Sequence, residues 1–143
     1  IGWDSFRPVT TEDVQAHRMH SEHFEITQPA ADAINRAKAE GRRVISVGTT
    51  AVRLMEHAAS LSSASLHTDG PLQAASGKAD IFITPGYDFK VVDTLITNFH
   101  LPRSTLLMLT SAFAGRDLIL RAYHEAADLK YRFYSFGDAM LVL

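Results

Sequence analysis

Between Asp93 and Gly115 the chain reads DTLITNFHLPRSTLLMLTSAFAG, and few arrangements accommodate that order of residues. Thr94 to Phe99 is a run of β-branched and apolar residues, the pattern of a buried strand. Thr105 to Ala114 is apolar on nearly every side and long enough for a helix, which must then be covered by protein. The residues between them, His100-Leu101-Pro102-Arg103-Ser104, allow only a short turn. Pro102 biases Leu101 away from helical angles, and Ser104 is a good N-cap. A polar cluster of Asn98, His100, Arg103, Ser104 and Thr105 is thereby held where a strand's carboxyl end meets a helix's amino end. In open α/β sheets ligands bind along that edge, and the N–H groups of a helix start favour anions. A capped turn with a structural histidine would use the same residues, so physics alone leaves both uses open.

The flanking segments extend the pattern. Pro29 to Glu40 predicts a helix with Ala33, Ile34 and Ala37 on one face and Gly41 at its end. Val44-Ile45-Ser46-Val47 is a short apolar run of the kind found in fully buried strands. Gly48-Thr49-Thr50 follows, and a helix is expected from about Ala51 to Ser60. Strand, small-residue turn and helix cradle phosphates or carboxylates on backbone N–H groups, although Gly-x-Gly-x-x-Gly and a P-loop lysine are both lacking. Arg53 and Glu56, one turn apart, read as an exposed ion pair; alternatively Arg53 faces the same edge as His100. Asp80-Ile81-Phe82-Ile83 is expected as another buried strand, closed by a Pro85-Gly86 type II turn. Tyr87, Phe89 and Lys90 then offer aromatic rings beside a cation, fit either to stack a base and meet a phosphate or to pin a loop to the core. Arg116 to Lys130 predicts an amphipathic helix, Tyr131 to Gly137 an aromatic-rich turn, and Ala139 to Leu143 a last strand. Alternating strands and helices argue for an α/β fold with a mainly parallel sheet flanked by helices.

Two segments carry less. From about 60 to 79 the chain turns to Ser, Ala, Gly and Gln, which predicts a mobile loop. His17, His20 and His23 recur at every third position beside Glu22 and Glu25. Met19 to Ile26 reads as a strand, on which His20 and His23 point to opposite faces, so no metal site is expected. The 143 residues suffice for one domain with a real core, and a formal charge of −2 leaves any anionic partner to a local patch. No cysteine is present, which excludes disulfides and thiolate chemistry and suits the cytoplasm. No apolar run is long enough to span a bilayer. Starting at Ile1, the chain is expected to be a piece of a longer polypeptide.

Three stretches carry a family resemblance: GRRVISVGTTAVRLME (41–56), FITPGYDFKVVDTLITNFHLPRSTLLMLTSAFAG (82–115) and KYRFYSFGDAM (130–140). Together and in this order they resemble the S-adenosylmethionine-dependent tRNA ribosyltransferase-isomerases of queuosine biosynthesis. Gly2 to Val9 resembles a further family segment, departing from it at Asp4, where glycine is usual, and at Ser5, where threonine is. The family's chain is considerably longer. The resemblance therefore implies the carboxyl-terminal part of a larger split domain, without the upstream half-domain and the inserted β-barrel, and a fragment inactive alone.

The resemblance also implies a reaction. The family moves the ribosyl part of S-adenosylmethionine, isomerised, onto a modified deazaguanine at the tRNA wobble position, giving epoxyqueuosine. S-adenosylmethionine is then a consumed co-substrate, no true cofactor is implied, and the partners are S-adenosylmethionine and a tRNA with a queuosine-type anticodon. A proton must leave the carbon beside the sulfonium, which calls for a positioned base. His100, with an ordinary pKa near ~6.5, is the first candidate and Asp93 the second. Gly48, Thr49, Thr50 and Arg53 are candidates for the donor's polar groups or an RNA phosphate. Tyr87, Lys90 and Arg103 are candidates for tRNA contact, and Asn98, Ser104 and Thr105 for substrate binding. A cytoplasmic monomer with no membrane contact is expected. A methyltransferase-like enzyme and a non-catalytic RNA- or protein-binding module are the alternatives.

Overall fold

The computed structural model describes residues 21–66 and 70–143. Its elements run β1 (Glu22–Ile26), α1 (Gln28–Ala39), β2 (Ile45–Val47), α2 (Thr49–Leu66), β3 (Ala75–Ala79), β4 (Thr94–Asn98), α3 (Thr105–Ala114), α4 (Arg116–Asp128) and β5 (Ala139–Val142), with a 3-10 turn at Tyr134–Phe136. The α/β class expected from the sequence is the class observed. Strand β4 lies in the middle of a three-stranded sheet, parallel to β2 and antiparallel to β5. Strands β1 and β3 pair antiparallel in a separate ribbon. Among the described residues only β2–β4 is parallel, so the sheet is mixed rather than mainly parallel.

Register explains which face is core. Ser46, Leu95 and Val142 align across the three strands and are all buried. One residue further along, Val47, Ile96 and Leu141 align on the opposite face, where Val47 is 73% exposed and Leu141 58%. Ile45 is exposed as well. The fully buried strand expected at 44–47 is thus half-buried: side chains alternate along a strand, and among the described residues only one face of this sheet is covered. Beneath the covered face Val52 of α2, Leu109 of α3, Ile83 and Leu95 form the centre of the core.

Helix ends follow their sequence signals. Ser104 caps α3: its Oγ accepts from Leu107 N–H at 3.2 Å and donates to the Leu101 carbonyl at 2.7 Å. Gly115, at φ 85°, ends α3 by donating to Ser111 O and turns the chain straight into α4. Helix α1 begins with Pro29 in its first turn and is followed by Gly41 at φ 67°. Its buried residue is Ala31, with Ile34 and Ala37 packed beside it, while Ala33 is exposed.

Two expectations fail for related reasons. The stretch from about 60 to 79, read as a loop, holds the last turns of α2 and strand β3. The segment ASGKA has little apolar signal of its own; it pairs because β1 supplies a buried face of Glu22, Phe24 and Ile26. Conversely, Asp80 to Ile83 is not a strand: Ile83 is buried as irregular chain, and Ile81 and Phe82 only in part. Apolar content there marked Ile83 as core but did not give backbone pairing. His23 points outward from β1, while His17, His20 and the segment from Ile1 to Thr11 lie outside the described residues.

Arg53 and Glu56 overturn the exposed ion pair. Glu56 is 0% exposed and accepts from the N–H groups of Lys90, Val91 and Val92 at 2.9–3.0 Å and from Tyr87 Oη at 3.2 Å. Arg53 is 4% exposed, donates to Ile81 O at 3.4 Å and pairs with Glu22 at 3.5 Å. Both face inward from α2 because its covered side looks onto β1 and the chain from 81 to 92. One turn of spacing brings two residues to the same side of a helix but does not make that side solvent.

Candidate functional site

The site is built where β2 and β4 end side by side. Gly48 N–H donates to Ile96 O at 2.8 Å, carrying the parallel ladder one step past β2 at φ 89°. Ser46 Oγ fastens the same turn by donating to Gly48 O at 3.2 Å. Helix α2 then starts at Thr49. The N–H groups of a helix's first turn have no intrahelical acceptor, so this end presents donors toward β4.

Across from it stands His100, two residues past the end of β4. Its Nε2 shares a hydrogen bond with Thr97 Oγ1 at 2.9 Å, and its backbone N–H donates to Tyr123 Oη of α4 at 2.9 Å. Burial pushes its pKa down from 6.5 to about 4. The imidazole is therefore neutral at neutral pH, an available proton acceptor held in a fixed orientation. Behind it Phe99 packs against Tyr123 and Phe133 at centroid distances of 5.3 and 5.0 Å. Burial also raises the Tyr123 phenol above its ordinary value, so Tyr123 stays protonated.

These parts enclose a cavity of about 280 Å³. Gly48, Thr49 and Thr50 form one wall; Thr97, Asn98, His100 and Ser104 form the other; Tyr134 and Ser135 stand at a third side. Of the residues singled out in the sequence, Gly48, Thr49, Thr50, Asn98, His100 and Ser104 are brought together. Thr105 is buried one position behind Ser104 and does not line the cavity. Arg103 is exposed at φ 56° and lines an adjoining hollow of about 270 Å³ with Met108 and Arg116, on the other side of Ser104.

The remaining candidates lie elsewhere. Asp93 precedes β4, about 20 Å along the chain from His100 at ~3.3 Å per residue. Its carboxylate accepts from Val44 N–H at 2.8 Å and Lys38 Nζ at 2.9 Å. Burial alone would raise its pKa, but these bonds and the charges of Lys38 and Arg43 outweigh it and leave the group below its ordinary value. Asp93, the second candidate for proton transfer, thus ties Val44 and Lys38 together at the opposite end of β4 from His100 and does not line the cavity. Arg53 does not reach the cavity, being turned to Glu22 and Ile81. Tyr87 donates to Glu56, and burial, followed by that carboxylate, pushes its pKa well up. Phe89 stacks on Phe113 at 3.9 Å, so these rings pin a loop to the core. Lys90 lines a different cavity of about 400 Å³ with Asn35 and Lys38, which holds none of the strand-end cluster.

Thr97, Tyr134 and Ser135, which line the cavity, and the anchoring role of Glu56 are not among the features that the sequence singles out. Thr97 was recoverable, since it lies three residues before His100 at the end of the same strand. Tyr134 was not, because contacts distant in sequence bring the aromatic turn to the cavity, among them the bond from its N–H to Phe99 O at 2.9 Å.

A family model described as "Queuosine biosynthesis protein" matches residues 1–142. The chain is 57% identical over 143 residues to the S-adenosylmethionine:tRNA ribosyltransferase-isomerase of Moorella thermoacetica and 53% identical to that of Carboxydothermus hydrogenoformans, covering 100% of this chain and 40% of each relative. It resembles the crystal structure of an S-adenosylmethionine tRNA ribosyltransferase from Thermotoga maritima with a TM-score of 0.73 and 44% identity, over 85% of this chain and 40% of that one. The chain thus spans about 40% of the length of the relatives it matches. With a family match running almost end to end, the chain belongs to the queuosine biosynthesis protein family.

Proposed function

We propose that this chain supplies the strand-end half of the active site of an S-adenosylmethionine:tRNA ribosyltransferase-isomerase. The reaction transfers the ribosyl part of S-adenosylmethionine to the aminomethyl group of a modified deazaguanine at the tRNA wobble position. Adenine and methionine leave, and the isomerised sugar becomes the epoxycyclopentanediol of epoxyqueuosine. S-adenosylmethionine is consumed as a co-substrate rather than held as a cofactor, and the enzyme works as a cytoplasmic monomer on tRNA. No helix among the described residues is long and apolar enough to cross a membrane.

The observation that carries this reading is the neutral, oriented His100 facing a helix start across a nucleobase-sized cavity. His100 accepts the proton from the carbon beside the sulfonium, whose positive charge stabilises the carbanion left behind. A pKa of about 4 makes it a weak base, so the sulfonium must acidify the carbon strongly for the transfer to proceed. The N–H groups at Thr49 and Thr50 meet the donor's carboxylate or an RNA phosphate. Asn98 orients a polar edge of the substrate while Ser104 holds the wall as the cap of α3, and exposed Arg103 meets the RNA backbone beyond the cavity rim.

Product analysis tests the reading. The complete enzyme carrying this segment, incubated with S-adenosylmethionine and tRNA bearing the deazaguanine, should release adenine and methionine and yield a nucleoside enlarged by the epoxycyclopentanediol. Release of S-adenosylhomocysteine with a methylated nucleoside would replace it with a methyltransferase. Binding of RNA with no product of either kind would leave a binding module.

A further inference from the structure

We propose that Tyr134 is a base-stacking residue of the His100 cavity, offering its ring to a purine-like heterocycle bound there. The proposal rests on the donor-and-RNA reading above, and deepens it by assigning a recognition element to the aromatic turn. Tyr134 lines the cavity and is 44% exposed, whereas its neighbour Phe133 packs against Phe99 and Tyr123. Phe133 anchors the turn, and Tyr134, whose ring meets Phe133 edge-on at 6.3 Å, lines the cavity.

The backbone makes this placement deliberate. Tyr134 sits at φ 63°, a left-handed conformation in which a non-glycine residue is strained. Glycine or asparagine would relieve it, and a half-exposed ring gains little from burial in return. Such an outlier argues for a role at the place where it points.

Several bonds hold the strain in place. Tyr134 N–H donates to Phe99 O, tying the turn to the residue just before His100. Arg132 N–H donates to Asp138 Oδ2 at 2.8 Å and Asp138 N–H returns the bond to Arg132 O at 3.0 Å. The Arg132 guanidinium adds a bond to Asp138 Oδ1 at 3.1 Å. At Gly137 a Cβ would collide with the Arg132 carbonyl, so only glycine lets the loop close. Asn98, itself on the cavity, donates to Asp138 O at 3.2 Å. The clasp is therefore built onto the strand end that carries His100.

Size and chemistry define the ligand. A cavity of about 280 Å³ lies just below the ~300–1,000 Å³ of sites that enclose drug-sized molecules, so it takes one bicyclic ring with part of a sugar rather than both substrates. Aromatic side chains bind bases through their π-faces, whatever the base. The adenine of S-adenosylmethionine and the deazaguanine of the RNA share that chemistry, and the experiment separates them.

The test uses the complete enzyme with Tyr134→Phe, Tyr134→Leu and Tyr134→Gly. Dissociation constants are measured for S-adenosylmethionine, for an anticodon stem-loop carrying the deazaguanine, and for free adenine. The Leu and Gly variants should weaken one substrate about ten- to a hundredfold and the Phe variant by less than about threefold. The Gly variant should melt no lower than wild type, because glycine accepts the left-handed backbone. Weakening confined to S-adenosylmethionine and adenine identifies the donor's base as the stacked ring; weakening confined to the stem-loop identifies the RNA base. Folded Leu and Gly variants that bind all three probes like wild type would overturn the proposal. Should wild type bind neither substrate, the functional reading fails on its own; Tyr134-dependent adenine binding would then still support stacking, and absence of adenine binding would overturn it too.

Discussion

At the amino end of β4, the Glu56 carboxylate receives four donors, and Asp93 is bonded to Val44 and Lys38. At the carboxyl end, the His100 ring bonds to Thr97 among the described residues and lines a cavity with room for a ligand. Glu56 is buried with its lone pairs occupied and Asp93 is tied down at the partly exposed rim, whereas part-buried His100 keeps bonding capacity toward the cavity. A buried group whose lone pairs are all occupied fixes structure, and exchanging it disturbs folding before chemistry. A desolvated group that faces a cavity is ready for a substrate, at some cost in stability. Proximity to a strand end is therefore not enough to mark a residue as functional; the number of bonds it already makes decides.

Breaking the saturated end should give the largest effect on stability. Glu56→Ala leaves the buried N–H groups of Val91 and Val92, the part-buried one of Lys90 and the Tyr87 hydroxyl without their acceptor, so unfolding free energy should drop by at least about 3 kcal/mol in urea titration. Glu56→Gln retains one acceptor oxygen and should lose less. If Glu56→Ala melts like wild type, the saturated end is not the anchor described.

The open end should reveal itself through pH. The His100 pKa of about 4 in the folded chain lies below its unfolded value near 6.5. Between those values the unfolded chain binds more protons, so stability should be complete above about pH 6.5 and fall as pH drops toward 4. The contribution is at most ~3 kcal/mol, read as the difference in pH slope between wild type and His100→Gln. Identical slopes would mean that His100 is not desolvated.

The smallest effect belongs to Asp93. Asp93→Asn removes the charge that Lys38 meets and half of the acceptor capacity, and should cost about 1 kcal/mol because the pair is partly exposed. Its carboxylate, held below the ordinary range, adds stability above its unfolded pKa and loses it as pH falls toward the folded one. Turnover of the folded variant should equal wild type. A large loss of turnover would bring the amino end of β4 back into the chemistry.

Much of this contrast was legible in the sequence at the carboxyl end. Thr94 to Gly115 announced strand, turn, cap and buried helix through local signals, and Ser104 caps α3 as its position required. Gly48 to Thr50 was found for the same reason. What escaped depends on contacts distant in sequence. Glu56 reaches residues more than thirty positions later, and β3 exists because β1 pairs with it. Val47 reads as buried in the sequence because apolar content does not say which face of a strand has a covering layer. Asp93 lay in the same stretch as His100, and only the extended length of β4 separates their roles.

The most direct test of the account is His100→Gln in the complete enzyme, with donor and RNA affinities, thermal midpoint and single-turnover rate measured together. Glutamine keeps a comparable size and can bond to Thr97 but cannot accept a proton in turnover. The account predicts near-normal binding and folding with a rate lower by about two to four orders of magnitude. A well-folded variant that turns over at close to the wild-type rate would contradict it and make His100 a packing residue.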